Sequence, residues 1–357
     1  MDDPREPYEL THELHPDDRR LVVKESPLNA EAAHPALAAA ITPPGAHYVR
    51  SNFDAPAIDA AGHLIAVEGA VAEPFTLAAH DLASLPQRSV TVTLECAGNS
   101  RMGMSPLPHG EPWATGAVST ASWSGPSLTT LLDRAGLRDD VVEILVSGAD
   151  RGTPAGAREA TRFARALPLD KARDPDVILA VEMNGSPLPP EHGAPARLIV
   201  PGWYGMASVK WVARIAALTT AYEGWFQHER YVYLSGRERR PVDVVRVKSM
   251  IVAPEGNTGV ARGRVTVWGW AWSGAAPVAA VDVALDGEAW QPAALDPPLA
   301  PHAWRRFTAS IDVAAAGRHV LRARARDAAG RVQPDVAAWN EHGYGNNAIA
   351  PVVFYVY

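Results

Sequence analysis

A single cysteine occurs in these 357 residues, Cys96, and it stands at the end of the run SVTVTLECAGNSR, where the chain turns through Ala97, Gly98 and Asn99. A lone thiol forms no internal disulfide, so its uses are packing, nucleophilic or redox chemistry, or ligation of one soft metal. Period-two alternation puts Val90, Val92, Leu94 and Cys96 on one strand face and Thr91, Thr93 and Glu95 on the other. The thiol therefore points where the apolar residues point, which by itself suits a small buried hydrophobe. Its neighbours argue for chemistry: Gly98 permits close backbone approach, and Arg101 is a cation that favours thiolate. Such a thiolate can be the one protein ligand of a metal whose other ligands come from a cofactor.

Other polar residues lie in irregular stretches. His192 and Arg197 fall in PLPPEHGAPAR, Lys210 precedes Trp211, and Asp150 sits in SGADRGTP. Taken singly, His192 and Lys210 read as surface residues, Arg197 as the partner of a carboxylate, and Asp150 as part of a turn.

The elements that must position these residues change character along the chain. Residues 1 to about 40 are polar and Ala-rich, and read as an N-terminal arm with a short helix. From 41 to 238 short strands alternate with short helices: HLIAVEGAV and SVTVTLEC read as strands, SLTTLLDRAGL as a helix. In that helix Leu128, Leu131, Leu132 and Ala135 share a face, Ser127 is placed to cap the start and Gly136 to close the end. VILAVEM runs into Asn184-Gly185, a hairpin dipeptide, and RLIVPGW follows as a strand. From 239 to 357 helical periodicity disappears. TVWGWAWSG aligns Trp268, Trp270 and Trp272; VDVALDGEAW aligns Val281, Val283 and Leu285 before an Asp286-Gly287 turn; LRARARD sets Leu321, Ala323 and Ala325 against an outer face of Arg322, Arg324 and Arg326. This spacing predicts an immunoglobulin-like sandwich.

Composition sets the frame. Hydrophobic residues make up 47% and charged residues 20%, enough for a large core and two domains. A formal net charge of -7 with dispersed basic residues argues against nucleic acid, and no apolar run is long enough to span a membrane. The N-terminus opens acidic, and Arg19-Arg20 is followed by a segment too short and polar for a secretory leader, so the expected location is cytoplasmic.

Three motifs in order, TLECAGNSR, PWATGAVSTASWSG and AVEMNGSPLPPEHGAPARLIVPGWYGMASVKWV, resemble the molybdenum-pterin domain of the sulfite oxidase family. WGWAWSG and AAWNEHGYGNN resemble the dimerisation domain that follows in that family. The resemblance covers roughly residues 45 to 357. It implies an α+β architecture: a mixed α/β molybdopterin domain followed by the all-β immunoglobulin-like sandwich, paired as a homodimer. It also implies one molybdenum held by a pterin dithiolene and by Cys96, with pterin contacts from Tyr48, Val49, Arg50, Ser51, Asn52, Asp150, His192, Arg197, Ser208, Val209 and Lys210. No haem or iron-sulfur cluster is expected, since one cysteine supplies neither.

The implied reaction is two-electron oxygen-atom transfer on a small oxyanion, sulfite to sulfate, with an external electron acceptor. Arg50 and Arg101 would orient the anion and Trp113 would wall the pocket. The family's tyrosine is not evident after Asp150, His342 stands where a third arginine is expected, and Asn52 stands where many members have histidine. A titrating third cation predicts weaker, pH-dependent anion binding. The alternatives are the same cofactor run as a reductase of a sulfoxide, nitrate or other oxo-substrate, and a cofactor-free binding or assembly protein in which Cys96 is merely packed.

Overall fold

A computed structural model describes residues 20–357. The part of the predicted N-terminal arm before residue 20 lies outside the described residues. From Arg20 onward the arm differs from expectation: Arg20–Lys24 and Asn29–Ala32 pair as an antiparallel hairpin, and His34–Ala38 forms a 3₁₀ turn. The second strand is buried throughout because Ala30 exchanges backbone hydrogen bonds with Val49, and Ala32 N donates to Gly116 O.

Two sheets organise the region that follows. A five-stranded mixed sheet runs in the order Phe75–Ala78, Leu64–Gly69, Val212–Leu218, Glu143–Gly152, Thr161–Pro168. Its one parallel pairing joins Leu64–Gly69 to Val212–Leu218. A four-stranded sheet carries the cysteine strand Gln87–Glu95 at one edge, in register with Val118–Pro126 so that Glu95 faces Val118. The helix Leu128–Ala135 buries Leu128, Leu131, Leu132 and Ala135 as predicted, each leucine contributing roughly 1.5–3 kcal/mol of apolar burial. Gly136 closes it in the left-handed region (φ 65°). Ser127 occupies the cap position without capping: its hydroxyl pairs with Thr129 Oγ1 at 2.8 Å. Asn184 and Gly185 take positive φ in the hairpin between Glu182–Met183 and Ser186–Pro187.

Beyond Lys248 a four-stranded and a five-stranded sheet face each other over a core that includes Val267, Val283, Phe307, Leu321, Ala325 and Phe354. Leu321, Ala323 and Ala325 are buried while Arg322 and Arg324 lie over the Trp290 ring, and Arg322 also pairs with Asp335. The expected outer face is thus partly anchored.

The sandwich meets the cysteine strand through hydrogen bonds. Trp304, which stacks on Trp270 within the sandwich with centroids 4.8 Å apart, donates its backbone N to Thr93 Oγ1 at 2.6 Å, and Thr93 N donates to His302 O at 2.9 Å. The polar face of that strand is therefore covered by the sandwich, where alternation alone would leave it to solvent. Among the described residues no helix is long and apolar enough to cross a membrane.

Candidate active site

The cysteine strand delivers Cys96 into a core cluster with Val90, Val92, Leu94, Tyr48 and Trp113, and the thiol is 5% exposed. Burial pushes its pKa up, opposed by the Arg50 guanidinium, the Gly98 backbone N–H and Arg101. The thiolate-favouring neighbours are present, yet they do not overcome desolvation without a further cation. Among the described residues no group of three or more His, Cys, Asp or Glu side chains is placed to hold a metal. A metal at Cys96 would take its remaining ligands from a non-protein donor.

Cys96 lies at the junction of two cavities. The larger spans about 590 Å³ with its opening to solvent included, and its wall contains Tyr48, Val49, Arg50, Ser51, Asn52, Asp150, His192, Arg197, Ser208 and Lys210. Of the pterin contacts implied by resemblance, only Val209 is absent from this wall: its side chain is in the hydrophobic core, and its carbonyl accepts from Leu198 N. The readings of His192 and Lys210 as surface residues fail, since they are 1% and 9% exposed. His192 Nε2 lies 2.9 Å from Pro44 O, and burial, then His47, depresses its pKa, so the ring is neutral. Lys210 Nζ donates to Ser51 Oγ at 2.6 Å and Glu191 O at 3.0 Å. Arg197 Nη1 donates to His192 O, and burial lowers its pKa to about 10. Burial raises Asp150 to about 7 against the field of Lys210.

The chemistry of this wall suits a polar ligand carrying an anionic group. Asp150 Oδ1 and Arg197 Nε are buried and have no hydrogen-bond partner among the described residues. Buried polar atoms are rarely left so, and here they offer an acceptor and a donor beside Lys210, whose pKa burial and then Arg197 push well down, so that an anion is needed to favour its charged form. The residues present fit a phosphate-bearing pterin.

The smaller cavity, about 210 Å³ with its opening included, is walled by Arg50, Cys96, Gly98, Arg101, Glu111, Trp113, Arg230, Tyr231 and Tyr344. Arg101 is 3% exposed and held by carbonyls: Nε and Nη2 donate to His342 O at 3.1 and 3.0 Å, and Nη1 to Glu111 O at 2.5 Å. Its slot needs glycine on several sides. A Cβ on Gly98 would lie 2.5 Å from Arg101 Nη2, and one on Gly110 2.9 Å from Cζ. Arg50 Nη1 donates to Asn29 Oδ1 at 3.1 Å and to Ser51 O, and Nη2 to Asn52 Oδ1 at 2.9 Å. Asn52 in turn bonds Tyr231 Oη at 3.2 Å through Nδ2. Asn52 thus links a cation of the small cavity to one of its tyrosines.

Two expectations about this cavity change. Tyrosines are present, Tyr231 from the segment after Phe226–Arg230 and Tyr344 from the sandwich, rather than from the loop after Asp150. His342 does not line the cavity: its ring bonds Glu229 O, and its carbonyl holds Arg101. Burial, then Arg230, lowers the pKa of His342, so it is not a cation at neutral pH. Sequence reasoning also missed Asn29, fully buried, which fixes both Arg50 and Ser51 N. The only trace of Tyr231 and Arg230 in the sequence is a polar-aromatic stretch, WFQHERYVY. Asn29 left no signal beyond its polarity.

Residues 52–226 match the family model for the oxidoreductase molybdopterin binding domain, and residues 239–355 that for the Mo-co oxidoreductase dimerisation domain. The chain is 34% identical to mitochondrial sulfite oxidase of Rattus norvegicus over 96% of its own length and 66% of that protein's. It is 33% identical to sulfite oxidase of Gallus gallus, covering 96% of this chain and 78% of the relative. The structure superposes on the sulfane dehydrogenase SoxCD of Paracoccus pantotrophus with a TM-score of 0.80 at 30% identity, covering 92% of this chain and 85% of that one. The chain spans just under two thirds of the mammalian relatives it matches.

Proposed function

The chain belongs to the sulfite oxidase family of molybdenum-pterin oxidoreductases, and from that premise we propose that it oxidises sulfite, or a sulfur oxyanion of the same size and charge, with an external electron acceptor. The observation that carries this reading is the position of Cys96, shared between a large polar cavity and a small cationic one. The bound cofactor supplies two-electron oxygen-atom transfer at molybdenum ligated by Cys96.

The remaining work falls to the chain's own side chains. Arg197 and Lys210 neutralise the cofactor's phosphate, and Asp150, Ser51 and Ser208 offer hydrogen-bonding groups at its edges. Arg50 and Arg101, fixed by carbonyl and amide oxygens rather than by carboxylates, keep their full charge for an incoming anion. Trp113 and Tyr344, 1% and 3% exposed, exclude water from the small cavity, where charge interactions are then strengthened. The cationic wall of the small cavity suits an anion. Residues 239–355 pair two copies of the chain as a homodimer.

Protein produced in a host that makes the cofactor, assayed for molybdenum and for sulfite-dependent ferricyanide reduction, tests the proposal. About one molybdenum per chain with sulfite turnover supports it. Metal without sulfite turnover but with sulfoxide reduction by a reduced dye would transfer the chemistry to the reductase alternative.

A further inference from the structure

We propose that Arg230, and not His342, is the third cation that holds the substrate anion, and that it is a specificity-determining residue of the small cavity. The proposal rests on the sulfur-oxyanion reading of this site. Arg230 stands on the cavity wall with Arg50 and Arg101, whereas His342 does not. The donors of the three arginines are committed differently. Arg101 gives Nε and both terminal nitrogens to the carbonyls of His342 and Glu111, and Arg50 gives its terminal nitrogens to Asn29, Ser51 and Asn52. Arg230 makes no hydrogen bond or ion pair among the described residues, although it lies close enough to Arg101, His342 and Tyr344 to act on their charges. Its planar fork is available for two-point contact with an oxyanion, which is the geometry that guanidinium matches best.

His342 takes a supporting place in this arrangement. Its ring bonds the carbonyl of Glu229, the residue before Arg230, and its own carbonyl accepts two bonds from Arg101. One residue of the sandwich therefore steadies the backbone next to one arginine and the guanidinium of another. The charged groups that act on the His342 ring are Arg230, Glu341 and Arg101, with Tyr344 at 5.7 Å. Two of the three are cations, and with burial they keep the ring neutral. The anion site thus holds three permanent positive charges, and affinity for a dianion does not depend on a histidine proton. This replaces the weaker, pH-dependent binding expected when His342 is taken as the third cation.

Calorimetric titration of the holoenzyme with sulfate, a dianion throughout the range used, and steady-state sulfite kinetics test the proposal together. Arg230→Gln should raise the sulfate Kd and the sulfite KM by about 10- to 100-fold while kcat falls far less, and Arg230→Lys should recover part of the loss. His342→Gln, whose amide can still donate to Glu229 O, should weaken sulfate by no more than about threefold. Wild-type sulfate affinity should be flat from about pH 6 to 8, the range in which an unperturbed histidine titrates. The proposal is overturned if Arg230→Gln binds sulfate within twofold of wild type, or if wild-type affinity falls away above neutrality and His342→Gln removes that fall. Molybdenum-loaded wild-type protein that neither binds sulfate nor oxidises sulfite would instead sink the functional reading beneath it.

Discussion

Lys248 Nζ lies 2.9 Å from Glu95 Oε1, with both side chains about 95% or more buried, so the sandwich grips the residue next to Cys96. The same ammonium donates to Ser100 Oγ at 2.9 Å, and Trp272 Nε1 donates to Glu95 Oε2 at 2.9 Å. Asn346 Nδ2 reaches Ser100 O at 2.6 Å, and Gly345 N reaches Ala97 O at 2.7 Å. The turn that carries Cys96 and Arg101 is therefore held from the second domain. The sandwich thus fixes active-site geometry through contacts within one chain.

Lys248→Met should destabilise the fold by about 3–5 kcal/mol, because it leaves the Glu95 carboxylate buried without a counter-charge. Adding Glu95→Gln should return most of that loss, since a buried pair removed together costs far less than one partner removed alone. Denaturant unfolding of the two single variants and the double variant measures this; equal losses for Lys248→Met with and without Glu95→Gln would contradict it.

Gly98→Ala should damage substrate handling without unfolding the protein. A Cβ there would lie 2.5 Å from Arg101 Nη2, and the guanidinium cannot retreat without breaking its bonds to His342 O and Glu111 O. The expected result is a sulfite KM raised at least about tenfold, from loss of a charge-assisted contact, with unchanged molybdenum content. An unaltered KM would show that Arg101 does not meet the substrate.

Glu31 makes stability depend on pH. Burial raises its carboxyl from 4.5 to about 7, against hydrogen bonds from Gly116 N and Ala114 N. A folded pKa above the unfolded one means that the contribution is fully present below about pH 4.5 and is lost as pH rises through 7. The difference corresponds to about 3 kcal/mol. Glu31→Gln should flatten the stability profile across this window, as read from unfolding midpoints at several pH values; superimposable profiles would rule Glu31 out as the titrating group.

Much of the architecture was legible from periodicity. The cysteine strand, the helix Leu128–Ala135, the Asn184-Gly185 turn and the tryptophan strand of the sandwich all follow from local patterns that tertiary packing reinforces. Motif order located most of the large cavity's wall, because the residues of the loop around His192 and of the ASVKW segment stay together in the chain. The small cavity was harder. Its wall gathers residues from positions 50, 101, 113, 230 and 344, and no local pattern announces Arg230 or Tyr344. Asn29 and Glu31 were read as part of an arm because a four-residue strand is too short for alternation to register. Glu95 is a different case: alternation is right about its face, and only the tertiary structure shows that the sandwich covers that face.

The most direct test of the account is the molybdenum content of Cys96→Ser beside its sulfite oxidation. Serine preserves the size of a side chain that is 5% exposed and removes the soft ligand. We predict a folded protein that loses sulfite turnover by several orders of magnitude. Full metal-dependent activity in Cys96→Ser would contradict the assignment of Cys96 as the ligand and, with it, the reading of both cavities.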